Sequence, residues 1–158
     1  MIWATLSVHI FSATVWIGGL LYIGGVLYPV FRYQKMTTSH VYVAIERRFM
    51  GFVWMSIWTM AITGALLMLS SQKFVFGRFE GVWDYLFLLK QILYLMMILA
   101  AMSSAGIVKK MEAILENAAR AHVENMLMIE HQRMLLRNRL SIVLGLLVVL
   151  ISARLAIN

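Results

Sequence analysis

The strongest constraint on this chain is its opening stretch. Residues 1–31 contain no Lys, Arg, Asp or Glu, and the run VHIFSATVWIGGLLYIGGVLYP precedes the first charge at Arg32. About 20 apolar residues cross the hydrocarbon core of a bilayer, so the stretch is long enough to span one. Composition supports that reading: 62% of the 158 residues are hydrophobic, whereas a soluble domain is nearer half. A positive leading region and a small-residue cleavage site are both missing, so the stretch does not read as a cleavable signal peptide. Tyrosines aside, its one ionisable side chain is His9. A titratable ring inside a span is a functional-site candidate by default.

Three more apolar stretches follow, at residues 49–71, 83–108 and 140–157. The third span carries a single internal charge, Lys90, and the fourth ends on Arg154. The expected fold is all-α, an integral membrane four-helix bundle forming a single domain. Pro29, the only proline, sits where the first helix should leave the membrane. Residues 39–49 place Val41, Ile45 and Phe49 at four-residue spacing, and residues 109–139 contain neither Gly nor Pro. Both connections are expected to be helical, with the third and fourth helices projecting as an antiparallel hairpin whose turn falls near residues 117–125. His40, His122 and His131 lie in these connections and read as solvated or interfacial side chains.

Charge sets the orientation. Arg32, Lys35, Arg47, Arg48, Lys109, Lys110, Arg120, Arg133, Arg137 and Arg139 flank the two long connections, against Lys73, Arg78 and Arg154 on the other side. The positive-inside rule makes the basic connections cytoplasmic and turns both termini outward, as fits a bacterial cytoplasmic (inner) membrane. The net charge of +7 then reflects basic loops facing anionic lipid rather than nucleic-acid binding. Cysteine is absent, which excludes disulfides, Fe–S clusters and thiolate metal sites. Walker A, GxGxxG and HExxH motifs are also absent, and the glycine-rich IGGLLYIGG lies inside an apolar span, where helix packing explains it.

Depth singles out two side chains. His9 lies seven residues into the first span and Lys90 seven residues after Trp83, an interfacial aromatic. At 1.5 Å per residue both are ~10 Å into the same leaflet. A lysine there costs up to ~2.5–3.5 kcal/mol, which calls for a partner, a wet cavity or an anionic ligand. The helical period puts Thr5, Ser12, Ala13, Trp16 and Leu20 beside His9, and Ser7, Thr14, Gly18 and Gly25 on the opposite face, where small residues let another helix approach. Ser56, Thr59, Thr63 and Ser70 share a face of the second helix. Trp83, Lys90, Tyr94, Met97, Ala101 and Ser104 share one of the third, and Ser141, Gly145 and Ser152 one of the fourth.

Two chemistries can use these groups. A neutral imidazole within lipid is a good axial ligand for haem iron, and a lysine beside it can pair with a porphyrin carboxylate or relay protons. Copper(I) prefers imidazole and thioethers, which would draw on His9 with Met60, Met68 and Met97. Most of the 13 methionines read as adaptable core fillers.

Several of these residues also form a family pattern. His9 followed by Trp16-Ile17-Gly18-Gly19-Leu20, Glu46-Arg47-Arg48-Phe49 leading into the second span, Thr63-Gly64 in its outer half, Leu89-Lys90 on the third and residues 137–147 opening the fourth together resemble the copper resistance protein D (CopD-type) membrane domain. The same outline is similar to the HemJ-type protoporphyrinogen oxidases. The likeness covers about residues 8–149, and the tract GGLLYIGG is closer to the CopD-type version. The resemblance implies a small four-helix membrane protein that binds haem b, with His9 and Lys90 as its functional pair. The expected site therefore has His9 as the metal ligand, Lys90 as the catalytic group, and Trp16, Thr63, Tyr94 and Met97 with them around the cofactor. The expected function is membrane redox work, either electron transfer with a quinone or oxidation of a porphyrinogen. Two alternatives stay open: a copper uptake or resistance protein, and a non-catalytic subunit of a larger respiratory complex. A homo-oligomer is compatible with each.

Overall fold

The computed structural model describes residues 2–34, 36, 39–70, 81–117 and 120–157, without side-chain detail at 117, 120–124, 156 and 157. Lys35, Lys73, Arg78 and the side chain of His122 fall outside the described set. Among the described residues every regular element is helical. The first helix is Ile2–Tyr33, the second His40–Leu69, the third Val82–Asn117 and the fourth Arg120–Ile157. All four are long and apolar enough to cross a membrane, so the chain is a multi-pass membrane protein built as an all-α bundle. Each helix packs on its sequence neighbour, and the fourth returns to the first, closing the ring. Only 22–33% of each apolar window is buried in the bundle, which leaves the larger part to face acyl chains.

The third and fourth helices have 36 and 38 residues, or about 54 and 57 Å at 1.5 Å per residue, against a ~30 Å hydrocarbon core. They project together at the end that carries Arg47, Lys109, Lys110 and Arg133, called the basic end below. The third and fourth helices pack along each other as the expected hairpin requires; of the expected turn region, residues 118 and 119 lie outside the described residues. Residues 40–49 continue straight into the second helix, started by Ser39, whose hydroxyl accepts from the Tyr42 backbone N–H at 3.2 Å. That bond satisfies one of the donors every helix start leaves unpaired.

Pro29 does not end the first helix. A proline inside a helix removes one N–H and collides with the carbonyl four residues back. The backbone answers with a π-helical turn at Ile23–Leu27, where the Tyr28 N–H donates to the Ile23 carbonyl, and the helix then runs on to Tyr33. Such wide turns relieve a local clash without breaking the rod.

The inner face of the first helix is Ser12, Trp16, Leu20 and Ile23, the His9 side, as the helical period predicts. The expected role of the opposite stripe needs correcting. A Cβ at Gly18 or Gly25 would meet nothing within 4 Å, because among the described residues no helix covers that face. Close approach is made instead at Gly19, where a Cβ would run into the Phe49 ring of the second helix. Replacing Gly19 by Ala is therefore expected to destabilise the bundle by about 1–3 kcal/mol through overpacking. Gly18→Ala should stay within about 0.5 kcal/mol of wild type. Detergent-unfolding curves of the two variants, measured side by side, check this.

The basic end is closed by a polar cluster instead of an apolar plug. Tyr42 is 0% exposed, Glu46 1% and His131 6%. The Tyr42 hydroxyl donates to Glu46 Oε1 at 2.8 Å. His131 stacks on Tyr28 at 5.1 Å and meets the edge of Tyr42 at 5.1 Å, while Phe31 packs on Tyr42 at 5.3 Å. His131 is thus a core residue, contrary to its expected solvated or interfacial setting; His40 is exposed as expected. The cluster lies beyond the uncharged segments 49–70 and 140–153, level with the exposed Arg47 and its ion pair to Glu112 at 3.4 Å.

Burial pushes the Glu46 carboxyl up to about 7, against the opposing pull of the Tyr42 hydrogen bond. Burial also pushes the His131 ring down to about 4. The two act on stability with opposite signs. A raised carboxyl favours folding below its unfolded value of 4.5 and loses that advantage as pH climbs to about 7. A lowered imidazole costs stability as pH falls from 6.5 to about 4. Glu46→Gln removes only the first effect, so the variant should gain on wild type between pH 4.5 and 7 by about 3 kcal/mol, at 1.36 kcal/mol per pKa unit. Unfolding midpoints of both proteins across that range provide the measurement.

Candidate functional site

The far end of the bundle holds His9. Its Nδ1 lies 2.8 Å from Thr63 Oγ1 on the second helix. Thr63 has one hydroxyl proton, and that proton is committed to the Thr59 carbonyl at 2.6 Å, one turn back along its own helix. Thr63 can therefore only accept from the ring, so His9 carries its proton on Nδ1. The neutral imidazole then presents an unprotonated Nε2. This is the arrangement found where histidine binds a metal: one ring nitrogen is held by an acceptor, which fixes the tautomer and leaves the other as the ligand. Gly64, next to Thr63, faces the same ring. A Cβ there would stand 3.4 Å from His9 Cε1, at ordinary van der Waals distance, so the ring lies over this turn of the second helix.

Lys90 reaches the same level from the third helix, and its charge acts on the His9 ring. The ammonium has no hydrogen-bond or ion-pair partner among the described residues. It keeps its three donors, with partial exposure, for an anion. Sequence depth singles out His9 and Lys90; the structure sets Thr63, an expected site residue, in contact with His9 and adds Gly64 beside it.

The other expected site residues lie in deeper layers. Trp16 is 2% exposed and meets Tyr94 edge-on at 6.3 Å. The Tyr94 hydroxyl donates to the Ile57 carbonyl at 2.7 Å. Both rings therefore tie the first, second and third helices one layer below His9. Met97 lies deeper still. A Cβ on Gly145 would be 3.5 Å from its methyl and 3.0 Å from Ile17 Cγ1, and Ile17 is eight residues from His9, about 12 Å along the helix. Met97 is a core filler at that level, and Met60 is likewise buried in the core. Among the described residues, no three His, Asp or Glu side chains converge as a site for a bare metal ion would require.

No family model, curated protein or solved structure matches this chain.

The residue that composition could not reveal is Gly64, whose value lies in what it leaves open above it. Thr63→Val would strand the Nδ1 proton and remove the preference for one tautomer, at a cost of about 1–3 kcal/mol. Nitrogen NMR of histidine-labelled protein should show His9 bare at Nε2 in the wild type and a mixture of tautomers in Thr63→Val. His9→Ala identifies the signal.

Proposed function

We propose that this chain is a haem b-binding membrane redox protein in which His9 Nε2 would hold the iron and Lys90 would hold a porphyrin carboxylate or another anion at the same depth. The observation that carries the reading is the His9–Thr63–Thr59 chain, which commits Nδ1 and leaves the Nε2 lone pair uncommitted on a half-buried ring. The donor set fits the group. A haem carries most of its own donor atoms and would need one imidazole nitrogen from the protein, which His9 would supply. When bound, haem supplies one-electron transfer. Thr63 orients the ligand and raises its basicity, Gly64 keeps the ring close to the second helix, and Lys90 offsets negative charge in a medium that screens it poorly.

The positive-inside rule orients the basic end to the cytoplasm, which places His9 and Lys90 in the outer leaflet of a bacterial inner membrane. A membrane-soluble donor such as a quinol or a porphyrinogen reaches that depth directly. Copper is the poorer fit, because Met97 packs in a deeper layer and leaves His9 without a neighbouring thioether from the third helix.

Visible spectroscopy of protein purified from haem-replete cells tests the reading. Wild type should show a Soret band, His9→Ala should lose most of it, and Lys90→Met should keep the band while binding haem less tightly. A colourless wild type overturns the haem reading, and copper found by metal analysis of the same sample would put the alternative in its place.

A further inference from the structure

The cluster at the basic end holds polar atoms that the fold leaves unanswered. Glu46 Oε2 and both ring nitrogens of His131 are buried without a hydrogen-bond partner. Glu46 is 17 residues from Thr63 along one helix, about 25 Å from the His9 site, so nothing in the haem reading accounts for it.

A buried carboxylate with an unanswered oxygen and no cation is costly, and in practice such a group takes up a proton. The candidates for a counter-charge can be followed helix by helix. The first helix contributes Tyr28 and Phe31, both uncharged, and its Arg32 is exposed. On the second, the neighbouring Arg47 is exposed and pairs with Glu112. On the third, Glu112 answers Arg47, and Lys109 and Lys110 are exposed. On the fourth, Arg133 is taken by Glu130 at 2.9 Å, Arg137 is half-buried and Arg139 exposed, leaving His131, Asn138 and Ser141 as the buried polar side chains. No cation among the described residues pairs with Glu46.

We infer that Glu46 and His131, each in contact with Tyr42, form a buried proton-binding site near the basic end of the bundle. In the resting state the proton is on Glu46 Oε2 and the His131 ring is neutral. Tyr42 donates to Oε1 and closes the carboxyl from outside. The His131 ring is held by Tyr28, which stacks on it, and by Tyr42, which it meets edge-on. Burial supports the same resting state, since it favours the neutral form of both groups.

Infrared spectroscopy of the full chain in lipid nanodiscs tests this across pH 5 to 9. Wild type should show a carboxylic-acid C=O band near pH 6 that fades at alkaline pH, and Glu46→Gln should lack it. Tyr42→Phe removes a hydrogen bond that favours the charged carboxylate, so its acid band should shift in frequency and persist to higher pH. In histidine-labelled protein, His131 should remain neutral at pH 6. The inference is overturned if wild type has no acid band at pH 6, if Glu46→Gln retains the band, or if His131 is protonated at pH 6 while the acid band is absent. Should Glu46→Gln fail to fold, an acid band whose frequency and midpoint do not move in Tyr42→Phe overturns it equally.

Discussion

One constraint governs most of this bundle: a polar group inside lipid must be satisfied by the protein itself. Most hydroxyls meet it locally. Ser7, Thr14, Thr59, Ser104 and Ser152 each donate to the carbonyl one turn earlier on their own helix. Such back-bonding costs little and links nothing. The side chains that bond across helices are therefore few, and each has structural consequences. Tyr94 ties the third helix to the Ile57 carbonyl, and Thr63 receives His9. Thr63 does both jobs, back-bonding and cross-helix bonding, and so the tautomer of a residue on another helix is settled by an ordinary feature of its own.

The number of helices, their approximate limits and the pairing of His9 with Lys90 were readable from charge and length alone. An ionisable residue in an apolar run stands out, and rise per residue converts its position into depth. The face of the first helix that packs inside was only half readable. Hydrophobicity marks the core in water, but a helix that is apolar all round gives no such mark. Gly18, Gly19 and Gly25 look alike in sequence, and only the position of Phe49 makes Gly19 the contact. His131 was misread for a related reason. Its burial depends on Tyr28 and Tyr42, which come from two other helices and lie about 100 and 90 positions away in the chain.

The two polar centres differ in kind. At one end an imidazole is tethered through one nitrogen and open at the other, beside an ammonium without a partner. At the other end a carboxyl and an imidazole are enclosed by aromatic rings. The first suits a ligand that arrives from the membrane, the second a group that is sealed once folding is complete. The core between them is built on Trp16, Ile57, Met97 and Leu144, with Ser56, Ser104 and Ser141 also buried.

The wide turn around Pro29 has one further effect. A regular helix advances 100° per residue, so every side chain along it is locked in phase with every other. The extra residue accommodated at Ile23–Leu27 breaks that lock. Upstream, rotation is set by Trp16 and Leu20 against the neighbouring helices; downstream, it is set by Tyr28 against His131. One rod thus presents two faces whose offset is fixed by the wide turn, one seating Trp16 and Leu20 in the core and the other seating Tyr28 against His131.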